Sequence, residues 1–430
     1  MYWQTRSHAE RGEPFQIQDF ARNSFELCPT NTAFLECYSG FVYKIESLSA
    51  APIADSRGNP TIEVTLATAN GQGTASVPSG ASVGVHEAKV VEPAIAVAQI
   101  NTEVSVALVG KEFDQKSLDA FLIQLDGTPD KSRLGGNATL GVSLAFARAA
   151  AAEQKVELYQ YFGSLAGVTA FALPIPMFNV LNGGKHAKNG IGVQESMLVP
   201  VGLKTMRAQV DAGTACVAAL KNLLEQKSYS TDMGDEGGFA PALKSNDEAL
   251  ELLLAATAAA GYTTEQVKIA LDVAASSMKH FDKEQMLAWY KIIADKYPLV
   301  SIEDPFTEDD FTGFAALRVA LGERMLIVGD DLTVTNTERI ALAAQKKAID
   351  AVIIKPNQVG TVSETIAAVV AAHAQGWKTI ASHRSGETLD MWIADVAVGL
   401  GCSFIKAGAP TRPERTAKYD RLMEIESQLS

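Results

Sequence analysis

The sequence predicts two units in series: an α+β unit, then a larger α/β unit whose short strands alternate with helices and end on polar residues. Three observations carry this. First, FVYKIESLSAAPIADS and TIEVTLAT alternate and are rich in β-branched residues. They flank Ser56-Arg57-Gly58-Asn59-Pro60, a turn composition, and so read as two paired strands. An Ala-rich, helical stretch follows from about residue 89 to 160, and strands followed by helices make an α+β unit. Second, six apolar runs end in polar residues: VKIALD, PLVSIED, MLIVGDD, AVIIK, KTIASHR and SFIKAG. Third, the steps from Asp272 to Glu303, Asp330, Lys355, His383 and Lys406 are 31, 27, 25, 28 and 23 residues. That is the repeat of strand–helix units, each returning to a parallel sheet. A barrel and a doubly wound sheet both give this rhythm. In a barrel the strand ends share one face, where active sites lie.

Composition bounds the rest. The chain has 430 residues, 47% hydrophobic and 20% charged, which is globular and not disordered. Net charge is 37 − 50 = −13, so a general nucleic-acid or anionic-membrane surface is not expected. Cys28, Cys37, Cys216 and Cys402 are too few and scattered for a disulfide framework or a zinc site, which fits a reducing, cytoplasmic setting. The uncharged run Leu158–Gly184 is broken by Pro174, Pro176, Asn179 and Asn182, so no membrane span is expected. Residues 1–41 lack periodicity and read as an appended extension.

The chemistry concentrates at the strand ends. Asp272, Glu303 and Asp330 would crowd like charges in one mouth unless a cation neutralises them. Oxygen ligands without His or Cys favour a hard ion, and Mg²⁺ is the natural candidate. Unrelated caps or loop acids are the plainer reading of any one of these acids alone; for three in register at strand ends a shared cation is favoured over that alternative. Lys355, at the end of AVIIK, is expected to be a base whose pKa is lowered by desolvation and neighbouring positive charge; simple pairing with the acids is the plainer alternative. Glu236 lies between glycines in GDEGGFAP, and Glu195 is an acid within the apolar strand VQESM. Two such glutamates close together could share the raised pKa that an acid catalyst needs. In SHRSGET, Arg384 offers a bidentate fork and Ser385 a hydroxyl ahead of a helix, which suits a phosphate or carboxylate, and Lys406 adds positive charge. The loop PSGASVG, with Gly80, Ala81 and Ser82, offers backbone N–H groups to an anion.

DSRGNPT, PSGAS, LDGT, GDEGGFAP, SIED, GDDLTVTN, IKPNQVG, SHRSGET and IKAGAP together, in this order, resemble the enolase family over nearly the whole chain from Val42. The resemblance implies an α+β capping domain over 42–172 and an eight-stranded α/β barrel over 173–430, preceded by the extension 1–41. It implies the reversible dehydration of 2-phospho-D-glycerate to phosphoenolpyruvate with two Mg²⁺ per site, the second arriving with substrate. By the same resemblance Asp272, Glu303 and Asp330 hold the first ion and Ser82 the second. Lys355 takes the C2 proton, and Glu236, supported by Glu195, protonates the departing hydroxyl. Arg384 and Ser385 bind phosphate and Lys406 the carboxylate. His186, His383, Gly80 and Ala81 line the substrate pocket. Glu63 and Arg415 resemble positions paired across a dimer interface, which implies a homodimer or larger homo-oligomer.

The pattern also departs from the family. About ten residues of a charged segment are missing after Ala88, Val83 and Ser196 replace the usual Thr and Phe, and Ser277 replaces Glu. Two other readings remain at this level. Another reaction of the same barrel superfamily is one, although no Lys-x-Lys base pair occurs. A non-catalytic binding protein that keeps the fold is the other.

Overall fold

A computed structural model of the chain describes residues 41–80, 84–187, 191–278 and 282–429. The extension therefore lies outside the described residues, apart from Phe41. Strand β1 (Tyr43–Ala54) runs antiparallel to β2 (Pro60–Thr68), with Ala54 opposite Pro60. The turn closes because the Asp55 carboxylate accepts the N–H groups of Arg57 and Asn59, both at 2.9 Å, and Gly58 takes φ +78°. β3 (Gln72–Ser76) and the short β4 (Glu112–Phe113) complete a sheet of order β3-β2-β1-β4. The alternation in β2 buries Ile62, Val64 and Leu66 on one face. Against that face lies the helix Gly136–Gln154, where small residues permit close approach: a Cβ on Gly141 would meet Val64 at 2.6 Å. The expected helical stretch is thus broken by β4, which pairs with Tyr43–Lys44 and carries too few residues for any periodicity.

The second unit is a closed barrel of β5 (Ile175–Asn182), β6 (Glu195–Val199), β7 (Lys268–Asp272), β8 (Leu299–Glu303), β9 (Leu326–Gly329), β10 (Ala351–Ile354), β11 (Lys378–Ser382) and β12 (Phe404–Lys406). The expectation of a wholly parallel sheet needs one correction. β6 is antiparallel to both β5 and β7, while the other neighbours pair in parallel. Below the mouth the interior is sealed by apolar side chains, among them Met177, Met197, Ala270, Val328, Ile353 and Ile380.

Capping unit and barrel meet at the N-terminus of the helix Val362–Ala374. There the Ser143 hydroxyl accepts the Val362 N–H at 2.9 Å, and the Asp119 carboxylate accepts the Ser363 N–H at 2.8 Å. Asp119 is fully buried, and desolvation pushes its carboxyl up to about 6 despite those donors. Among the described residues, no helix is long and apolar enough to cross a membrane.

Candidate active site

Strand register brings the acids together. Asp272 pairs with Glu303 across β7–β8. Because β6 is reversed, its first residue, Glu195, pairs with the last residue of β7, Asp272. Glu195, Asp272 and Glu303 therefore stand side by side at one level. The last residue of β12, Lys406, reaches into them: its Nζ lies 3.1 Å from Glu195, 3.1 Å from Asp272 and 2.9 Å from Glu303. Burial alone would lower the Lys406 pKa, but the carboxylates carry it well above the ordinary lysine value. Burial raises both glutamates well above theirs, with repulsion from Glu236 adding at Glu195 and from Asp272 at Glu303.

Asp330 follows β9 and Lys355 follows β10; their side chains form a direct ion pair. Burial opposes charge on both, yet each stabilises the other: Asp330 is held below the usual carboxylate range, and Lys355 above the usual lysine value. The expected lowering of Lys355 is thus reversed here: desolvation, Arg384 and Lys406 all push it down, but the surrounding carboxylates, Asp330 foremost and Glu303 with it, together carry it above the ordinary value. Asp330, Asp304 and Asp331 form a tighter acid group, with oxygens within 4.8 Å of one another. Asp304, however, accepts the N–H groups of Asp330 and Asp331 at 2.9 and 2.7 Å, and so serves as the clamp of that loop. Burial and the neighbouring Asp330 push Asp331 up to about 7.

Glu236 arrives on the 234–238 turn. Gly237 has φ +84°, and a Cβ on Gly238 would meet the Asn179 carbonyl oxygen at 2.7 Å, so the turn can approach β5 only with glycines there. Its carboxylate accepts from Asn179 Nδ2 at 2.9 Å and lies 3.3 Å from His383 Nε2. Burial lowers His383 to about 4, so the ring is neutral near pH 7. Arg415, expected between copies, is enclosed in its own chain, donating to the carbonyl oxygens of Arg384 and Ser385 at 2.9 and 2.7 Å. Glu63 accepts from the Ser76 hydroxyl at 3.0 Å.

The cleft over this ring is lined by Glu195, Glu236, Asp272, Asp330, Lys355, His383, Arg384, Ser385 and Lys406. Gly80 lies next to Ser79, which bridges Gly386 behind Arg384 and Ser385. Ala81, Ser82 and the side chain of His186 lie outside what the structure describes. Glu87, Asn357 and Gln358 hold Arg384 and Asp330, a role that the sequence does not disclose: Asn357 and Gln358 fall within IKPNQVG, but Glu87, 271 positions before Gln358, signals nothing by spacing.

The donor set suits a hard dication: the acids offer oxygen alone, and the ammonium of Lys406 already sits among three of them as a stand-in cation. Fold and site together define an α/β barrel protein that pairs buried acids with lysines at its strand ends. The comparisons agree. The model "Enolase, N-terminal domain" matches residues 45–162, and "Enolase, C-terminal TIM barrel domain" matches 170–284 and 277–430. The enolase of Mycobacteroides abscessus is 46% identical over 409 residues, covering 90% of this chain and 94% of that protein. The enolase of Methanocaldococcus jannaschii and enolase 2 of Pseudomonas syringae pv. syringae are each 45% identical, over 90% of this chain and 96% of theirs. The chain belongs to the enolase family. It is accordingly a lyase, a Mg²⁺-dependent phosphopyruvate hydratase of glycolysis that acts on a small phosphorylated acid.

Proposed function

We propose that the mouth of the barrel performs the dehydration with Lys355 as base and Glu236 as acid. Lys355 Nζ would take the proton from C2 of 2-phospho-D-glycerate. The electron pair of that bond becomes the C2=C3 double bond as the C3–O bond breaks, and Glu236 donates the proton that lets the hydroxyl leave as water. Glu195 supports this, since two buried glutamates in mutual repulsion favour keeping a proton between them. Lys355 must be neutral to act; Arg384 and Lys406 push it that way, while Asp330 resists. Lys406 would turn to the substrate carboxylate, and Arg384 and Ser385 to the phosphate, with His186, His383, Gly80 and Ala81 enclosing them.

Asp272, Glu303 and Asp330 would hold one Mg²⁺, and Ser82 a second that enters with the substrate. When bound, the ions supply the concentrated positive charge that stabilises a carboxylate-adjacent carbanion and neutralise the acid ring. The observation that carries this reading is the contact of Lys355 with Asp330 beside the acids bridged by Lys406. We also infer a division of the units at 172/173, a homodimer or larger homo-oligomer, and a cytoplasmic location, in keeping with the free, buried thiols of Cys216 and Cys402. Solvent deuterium exchange at C2 tests the roles. Lys355→Ala is expected to lose exchange and product together, whereas Glu236→Gln keeps exchange and loses product. Exchange surviving in Lys355→Ala would assign the base elsewhere.

A further inference from the structure

Glu87 belongs to the capping unit, yet it ends in the barrel mouth. It is 4% exposed. Its Oε2 accepts from Arg384 Nη1 at 2.9 Å and its Oε1 from Arg384 Nη2 at 3.3 Å, a forked ion pair between residues 297 positions apart. The same Oε1 accepts the Gly84 N–H at 2.9 Å, which anchors Glu87 to its own loop. Asn357 Oδ1 also accepts from Arg384 Nη1, at 3.0 Å. On the far side Gln358, almost fully buried, donates through Nε2 to both Glu87 Oε1, at 3.4 Å, and Asp330 Oδ1, at 3.1 Å. A single carboxylate from the cap thus holds the residue assigned to phosphate and connects, through one amide, to the Asp330–Lys355 pair.

Without the Glu87 carboxylate the buried guanidinium would lose its forked, direction-setting partner and keep only weaker attractions such as those of Asp330 and Asp331. We propose that Glu87 is a positioning residue that acts through Arg384: the capping unit, through Glu87, sets the affinity for the substrate phosphate at a site whose chemistry lies in the barrel. The proposal rests on the assignment of Arg384 to phosphate. Glu87 touches neither the base nor the acid, so its removal should alter binding of ground state and transition state together, raising KM more than it lowers kcat.

Steady-state kinetics of the full chain with Mg²⁺ test this. Glu87→Gln is expected to raise KM for 2-phosphoglycerate and the inhibition constant of inorganic phosphate by about tenfold or more, with kcat held within about threefold. Because the effect passes through Arg384, the double variant Glu87→Gln/Arg384→Lys should be no weaker than Arg384→Lys alone. A folded Glu87→Gln with parental KM, or fully additive losses in the double variant, overturns the proposal. Parental KM in Arg384→Lys would instead remove the phosphate assignment beneath it. Should Glu87→Gln lose its thermal transition, Glu87→Asp, which keeps the charge and shortens the reach, decides the matter: a smaller rise in KM at unchanged kcat is expected, and parental KM again overturns it.

Discussion

The same strands build two different environments a few residues apart. Low in the barrel, Met197, Ala270, Val328, Ile353 and Ile380 fill the interior with apolar side chains and no charge. At the top, Glu195, Asp272, Glu303, Lys355 and Lys406 put buried charges beside one another, and several depart strongly from their ordinary ionisation. The lower layer gains stability from close packing, whereas the upper layer is costly unless each charge finds a partner. The contrast teaches that in this barrel stability and reactivity are separated by height, so each can be disturbed alone.

Removing the divalent cation should disturb only the upper layer, with the largest effect. EDTA is expected to abolish turnover, and added Mg²⁺ to restore it, while far-ultraviolet circular dichroism stays unchanged, because the Lys406 ammonium lies within 3.1 Å of three of the acids and offsets their charge. Unfolding on chelation would break the separation. Ile353→Ala should disturb only the lower layer: the side chain is fully buried, and its truncation is expected to cost about 2–5 kcal/mol in denaturant melts with kcat of the folded protein retained.

Asp119 sharpens the comparison, because it is a buried acid far from the chemistry. Its carboxyl is raised to about 6, so between about pH 4 and 6 the folded state holds a proton that the unfolded chain has lost, and this group's contribution to stability falls as pH rises. Asp119→Asn stays neutral throughout and still accepts from Ser363. The stability difference, variant minus parent, should therefore move in the variant's favour between pH 4 and 7, by on the order of 3 kcal/mol at most. A difference independent of pH would place the Asp119 titration elsewhere.

Much of this was legible from residues. Asp272, Glu303, Asp330, Lys355, His383 and Lys406 were readable because each closes an apolar run just before a helical segment, and strand ends of one barrel must share a face. The turn at Asp55–Pro60 was readable because its residues have local jobs. What escaped was set by partners distant in sequence. In ESMLV the acid opens the strand where the other runs close on theirs, a sign of the downward direction of β6 that acquires meaning only once its register with β7 is known. The charge state of Lys355 depends on the balance of burial against all the ions around it, and Asp330 together with Glu303 reverses the expected shift. Glu87 and Gln358 meet only after folding.

The inverted strand has a topological result of its own. A path that descends along β6 finishes at the bottom, where Val199 faces Lys268, yet β7 must also begin there. The chain therefore needs an even number of extra passages, and the helices Met206–Gln226 and Asn246–Ala259 supply them as an up-and-down pair. Their upper bend is an additional visit to the rim that a regular alternation would never make, and Glu236 rides on it beside β5. One flipped segment thereby delivers two carboxylates to the rim: one as its own leading residue, the other on the detour it imposes.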